Sequence, residues 1–186
     1  MPGNSTKRSG RQRPQGRGPR GPGSSSGTDA RTRFIVDAML GSLARKMRAL
    51  GFDAAYYRSG EDAGLLERSL LERRIILTAD RPLVARARAL GIEVILVPGD
   101  SDRERVGSIA RGAAACGIDL VRGDPLCSLC GAELQFVRKD DVSGEVPPEV
   151  GRRHRLFFRC TSCGQLYWRG SHWKKLMSVG RRLGQG

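Results

Sequence analysis

Two sets of side chains in this sequence could do chemistry: four cysteines arranged as two close pairs, and a series of carboxylates that follow short apolar runs. Cys127 and Cys130 lie in "CSLCG", and Cys160 and Cys163 lie in "CTSCG". A C-x-x-C-G knuckle turns the backbone so that both thiolates face one point, and the glycine accommodates the tight turn. Two such knuckles supply four sulfurs for one tetrahedral Zn²⁺. The 29 residues between them leave room for a two-stranded excursion. Four thiolates close the coordination shell, so the expected zinc is structural and holds a segment too small to build its own core. His154 and His172 are not expected among the ligands. Cys116, at the end of an "AAAC" helix, reads as a small core residue.

The carboxylates take their meaning from the elements that carry them. "RFIVD" is a short apolar strand ending in Asp37. "MLGSLARKMRALG" sets Leu40, Leu43, Met47 and Leu50 on one helical face, with Arg45, Lys46 and Arg48 elsewhere and Gly51 as the stop. "FDAAYY" is a second strand, followed by a helix in "EDAGLLERSLLERR" with Leu65, Leu66, Ser69 and Leu70 inward. "IILT", the helix "RPLVARARALG", "VILV" and a helix opened by Ser101 and Glu104 as a capping box complete the alternation. Four strand–helix pairs from about Arg33 to Gly117 predict an α/β domain, its parallel sheet covered on both faces.

In a parallel sheet every strand ends on the same edge, where ligand crevices form. Asp37 and Asp80 follow the first and third strands, Glu61 and Asp62 begin the helix after the second, and Asp100 and Asp102 follow the fourth. All belong to that edge. Asp102 also suits the first helical turn through the dipole. Asp53 starts a strand on the opposite edge and reads as structural, while Glu67 and Glu72 lie inside a helix as surface charges. Clustered carboxylates repel unless a cation compensates, and hard oxygen ligands suit Mg²⁺ or Mn²⁺. Such an ion can activate water against a phosphodiester. An acidic pocket in a basic protein is the pattern expected of a nuclease.

The chain is indeed basic, with Lys+Arg 33 against Asp+Glu 19 in 186 residues and a net charge of +14. That field favours nucleic acid first and anionic membrane second. No apolar run reaches membrane-spanning length and the N-terminus lacks a signal-peptide core, so the expectation is a cytoplasmic protein with reduced thiols and no membrane partner. Four segments are expected: a disordered basic tail at 1–30, an α/β domain at 31–122, a zinc module at 123–178 and a basic flexible terminus at 179–186. Lys7, Arg8, Arg11, Arg13, Arg17 and Arg20, with no acid before Asp29, put 6 of the 14 net charges in residues 1–28. "FVRKDDVSGEVPPEVGRRHR" reads as an exposed hairpin excursion within the zinc module. In "QLYWRGSHWKKL", Tyr167, Trp168, His172 and Trp173 interleave with Arg169, Lys174 and Lys175, a pattern suited to base stacking and phosphate contact. Arg45 and Arg48 are further candidate RNA contacts.

"FIVDAMLGSLARKMRALGFDAAYY", "DAGLLERSLLERRIILTADR", the paired knuckles and "YWRGSHW" together resemble the Mut-seven C-terminal RNase family, over about Arg33 to Met177. That resemblance implies a PIN-like nuclease domain followed by a zinc ribbon. It matches Asp37, Asp62 and Asp80 to the acids of a PIN-type Mg²⁺ or Mn²⁺ site, with Thr78 as the hydroxyl beside them; Asp100 and Glu61 are additional candidate acids. Ala79 departs from the family's usual basic residue, and Gly131 from its frequent asparagine. The expected function is metal-dependent hydrolysis of RNA. The rivals are a non-catalytic RNA- or ribosome-binding protein on the same scaffold and, third, a DNA-directed nuclease.

Overall fold

The computed structural model describes residues 31–183, without the side chains of His172 and Arg182. The expected tail and the last three residues of the chain lie outside the described residues.

β1 (Arg33–Val36), β2 (Asp53–Tyr56), β3 (Ile75–Thr78) and β4 (Val94–Leu96) pair in parallel in the order β2-β1-β3-β4. They are followed by α1 (Gly41–Ala49), α2 (Asp62–Glu72), α3 (Arg81–Ala89) and α4 (Asp102–Ala115), with a 3₁₀ turn, Ala38–Leu40, ahead of α1. Successive strand residues face opposite ways. Phe34, Val36, Ile75, Leu77 and Ile95 therefore pack with Leu43 and Met47 of α1 and Val106 and Ile109 of α4. Ile35, Ile76 and Val94 pack on the other side with Leu65 and Leu66 of α2 and Leu83 and Val84 of α3. Helices on both faces explain why the strands read as unbroken apolar runs.

Local chemistry sets the helix ends. Gly51, at φ +94°, stops α1, and a Cβ there would lie 2.1 Å from the Gly123 carbonyl oxygen. Its N–H donates to the Arg48 carbonyl, and that of Phe52 to the Met47 carbonyl, each at 3.0 Å, closing a Schellman motif. α4 opens with the expected capping box: the Ser101 hydroxyl accepts from the Glu104 N–H at 3.2 Å, and the Glu104 carboxylate accepts from the Ser101 N–H at 3.0 Å. Two expectations fail here. Leu70 is 54% exposed, because the buried face of α2 is made by Leu65, Leu66 and Ser69 alone. Cys116 is exposed at the C-cap of α4 and takes no part in the core.

The second part of the chain is a three-stranded antiparallel sheet, β5 (Leu134–Val137), β6 (Phe157–Cys160) and β7 (Leu166–Trp168), in that spatial order. The segment between β5 and β6 is not an exposed hairpin. It forms a 3₁₀ turn, Asp140–Val142, and α5 (Pro148–Arg153), and buries Val142 and Val146 against Phe157. Nor is the stretch after residue 178 a flexible terminus as far as it is described. α6 (Ser171–Gly180) runs through it into a 3₁₀ turn, Arg181–Leu183, and Leu183 is 1% exposed within the first domain's core. Leu176, Met177 and Val179 of α6 pack against the same core, so the four-cysteine module is held at both ends. No helix among the described residues is long and apolar enough to cross a membrane.

Candidate functional site

β1 lies between β2 and β3, so the chain leaves β1 toward one side of the sheet and later continues on the other. The loops after β1 and β3 therefore diverge, which opens a crevice at the carboxyl ends of those strands. Asp37 follows β1 and Asp80 follows β3. The register Val36↔Leu77 brings Asp37 level with Thr78. Thr78 is fully buried; its hydroxyl donates to Asp37 Oδ2 at 2.6 Å and accepts from the Asp80 N–H at 3.0 Å. One hydroxyl thus orients the Asp37 carboxylate and the backbone of Asp80 together.

Asp37, Glu61 and Asp80 occupy the N-cap positions of the 3₁₀ turn, α2 and α3. A carboxylate there commonly accepts from the first-turn N–H groups. None of these three does. Among the described residues, neither Asp37 nor Asp80 pairs with a basic side chain. Asp62, in the first turn of α2, is instead paired with Arg86 of α3, and Asp102 is paired with Lys46 of α1. Glu61 and Asp100 are exposed. An all-oxygen donor set suits Mg²⁺ or Mn²⁺, and Asp37 and Asp80 could hold such an ion. Asp62 could join them only by releasing Arg86. Among the described residues, the carboxylates of Asp37, Asp62 and Asp80 are not drawn together as closely as the cysteine sulfurs are.

Those sulfurs, of Cys127, Cys130, Cys160 and Cys163, all lie within 4.8 Å of one another. The pairs Cys127–Cys163 and Cys130–Cys160 stand at 3.6 and 3.4 Å. Zn–S bonds near 2.3 Å in a tetrahedron require sulfurs about 3.8 Å apart, so the arrangement fits that ion. Each knuckle closes on a glycine N–H: Gly131 donates to the Cys127 carbonyl at 2.8 Å and Gly164 to that of Cys160 at 3.2 Å. Both glycines have positive φ, +88° and +73°, which is where a side chain would be strained. Burial pushes the Cys127 thiol up, but hydrogen bonds from Tyr167 and from the Cys130 and Leu129 backbone outweigh it and bring it down to about 6. A backbone hydrogen bond at Gln165 lowers Cys163, yet burial and the neighbouring sulfurs push it up to about 12. Four sulfurs this close cannot all ionise without a cation among them.

The candidate RNA contacts divide. Arg48 is a correction: it is buried, donating to the Ala54 carbonyl at 2.7 Å and to the Leu129 and Ser128 carbonyls at 2.8 and 3.3 Å. It bolts the end of α1 to the first knuckle. The spacing of Ala44 and Arg48, one turn apart beside Leu43 and Met47, was the available sign of a wider buried face. Tyr167 is half-buried, its hydroxyl 3.1 Å from Cys127 Sγ and 3.2 Å from Ser128 Oγ. Trp168 packs against the small cluster of Val142, Val146 and Phe157. Arg45, Arg169, Lys174 and Lys175 are exposed, and the side chain of His172 lies outside the described residues. The Arg169 guanidinium sits 5.8 Å from the centre of the Phe158 ring and 6.0 Å from that of Trp173. Phe136 and Phe158, edge to face at 6.2 Å, were not among the sequence candidates. Phe158 precedes Cys160 by two, so strand alternation puts it on the cysteine's face of the sheet.

The chain thus joins a parallel α/β sheet, with two carboxylates unpaired among the described residues at its switch point, to a four-cysteine cluster that could hold a metal ion such as zinc. The family model for the Mut7-C RNAse domain matches residues 32–179. The chain belongs to that family. No curated protein and no solved structure matches it significantly.

Proposed function

We propose that this protein is a metal-dependent ribonuclease, built as a PIN-like domain followed by a zinc ribbon and working in the cytoplasm. One observation carries the reading: Asp37 and Asp80 flank the switch point and are spent neither on helix caps nor, among the described residues, on cations. Structure-building acids are not left in that state. A divalent ion held by these carboxylates would activate water and screen the substrate phosphate. Thr78 fixes the Asp37 rotamer, and Asp80 keeps its carboxylate free of the helix it precedes. Arg86, exposed on α3, can exchange Asp62 for a substrate phosphate, which frees the third carboxylate. Cys127, Cys130, Cys160 and Cys163 would hold a zinc ion with all four positions filled by sulfur, which would leave it a structural role in the ribbon.

The test is incubation of the purified protein with labelled single-stranded RNA, with and without Mn²⁺, beside Asp37→Asn. Cleavage that needs Mn²⁺ and vanishes in the variant supports the enzyme. The Asp62–Arg86 pair favours a second reading, a non-catalytic RNA- or ribosome-binding protein on the same scaffold. That reading prevails if the parent binds RNA and never cuts it.

A further inference from the structure

A cavity of about 500 Å³ lies between α1, the antiparallel sheet and α6. The two faces of that sheet are unlike. The register Phe136↔Phe158 and Phe158↔Tyr167 aligns three aromatic side chains in one row across β5, β6 and β7. On the other face Val137, Phe157 and Trp168 join the small core with Val142 and Val146. Tyr167 of the row is tied to the first knuckle, while Phe136 and Phe158 take no part in the small core. Phe136 is 52% exposed. Arg169 covers the Phe158 ring, and Arg45 and Lys46 of α1 line the opposite wall.

We propose that this groove binds single-stranded RNA, taking an unpaired base onto the Phe136–Phe158 platform. The assignment rests on the ribonuclease reading for its substrate class and goes beyond it in saying where and how the strand is held. An aromatic row that is in register on a sheet offers a face of the right kind for a base, and every base has such a face. Arginine beside those rings adds a cation to the same stack and a partner for the adjoining phosphate. The charge fits as well. Arg45 and Arg169 border the cavity, Lys46 beside them is paired with Asp102, and Asp124 is the single acid among the lining residues. A duplex keeps its bases inside, so the platform discriminates for single strands. Arg45 lies one helical turn and one 3₁₀ turn beyond Asp37, so a strand leaving the groove along α1 runs to the acidic edge.

The experiment measures binding, so that its failure is separable from failure of the nuclease reading. Full-length Asp37→Asn protein, which leaves RNA intact, is titrated against fluorescent oligouridylate and against an RNA duplex by anisotropy. Adding Phe136→Ala should weaken single-strand binding roughly tenfold, by the same factor at low and at moderate salt, because stacking releases no counterions. Duplex binding should not change. Phe136→Trp should bind at least as tightly as the parent. Leu129→Ala, which removes an exposed side chain outside the groove, should match the parent and shows that lost surface is not the cause. The proposal is overturned if Phe136→Ala binds oligouridylate as the parent does, if duplex affinity falls equally, or if the loss disappears with salt. The first outcome would assign the groove to a protein partner.

Discussion

The two edges of the parallel sheet treat the carboxylates beside their central strands in opposite ways. On the edge where the strands begin, Arg74 reaches Asp53 with two nitrogens, at 2.9 and 3.0 Å, and Glu72 with a third at 2.5 Å. Arg33 adds a contact to Asp53 at 3.3 Å, Arg68 one to Glu72 at 2.6 Å, and Arg74 also donates to the Phe34 carbonyl at 3.1 Å. Glu72 is thus more than the surface charge its helical position suggested. On the edge where the strands end, Asp37 and Asp80 are joined only through the Thr78 hydroxyl. Acids that build structure are neutralised where they stand. Asp37 and Asp80, which the proposed function assigns to a metal, have no basic partner among the described residues.

The largest effect expected from this contrast is kinetic. Asp37→Asn should lower Mn²⁺-dependent cleavage by roughly a thousandfold or more, about 4 kcal/mol of barrier, while the melting temperature without metal stays within a degree or two of the parent. Rates from single-turnover assays and calorimetric melting check both halves. A variant that melts early would place Asp37 among the structural acids and erase the contrast.

Next comes the opposite edge. Arg74→Met should cost on the order of 3 kcal/mol in denaturant unfolding, since it strands two carboxylates and a buried carbonyl around a cation with 9% of its side chain exposed. The same network has a pH signature. Hydrogen bonds from Arg68 hold the Glu72 carboxyl below its ordinary value, opposed by slight burial and helped by Arg74. A depressed carboxyl contributes stability above its unfolded value and loses it as the pH falls, so the parent should lose stability below about pH 4.5 more steeply than Glu72→Gln. Matching acid profiles would show that the network is too exposed to matter.

Arg48 tests a third kind of commitment, to backbone carbonyls. Arg48→Met should cost about 2 kcal/mol, because three carbonyls lose their charged donor, and it should hasten loss of zinc to a chelator. Zinc release followed with a metallochromic dye reads the second effect. If release keeps the parent's rate, the bolt holds the domains and not the metal site.

How much of this was legible depended on whether the cause was local. The order of strands and helices, the capping box at Ser101, the stop at Gly51 and the knuckle spacing are written within a few residues of where they act. So was the sorting of Asp53 from Asp37 and Asp80, since strand direction alone decides which edge each occupies. What escaped was set by partners distant in sequence. Arg48 is buried by carbonyls 80 and 81 residues away, and Asp62 is taken up by Arg86, which a neighbouring helix presents. The return of Leu183 to the first core and the pairing of Phe136 with Phe158 need a folded path or a strand register that no nearby residues encode. A basic terminus and an alternating strand look the same whether or not something lies opposite.

The smallest effect is the sharpest test of the comparison. Asp80→Asn removes one charge that no base among the described residues compensates, at an N-cap whose side chain accepts nothing from the helix. No cap is lost, and repulsion from Asp37 falls. Without metal the variant should therefore unfold within about 0.5 kcal/mol of the parent, on the stable side. Asp53→Asn, the same change at the other edge, should cost at least about 1.5 kcal/mol, because it weakens charged hydrogen bonds to Arg74 and Arg33. Mn²⁺ then separates the sites again. It should raise the melting temperature of the parent and of Asp53→Asn alike by binding the native state, and raise that of Asp80→Asn much less. Equal costs at the two edges, or equal Mn²⁺ shifts in all three proteins, would mean that Asp80 is one more structural acid, and the edge would have no site to offer.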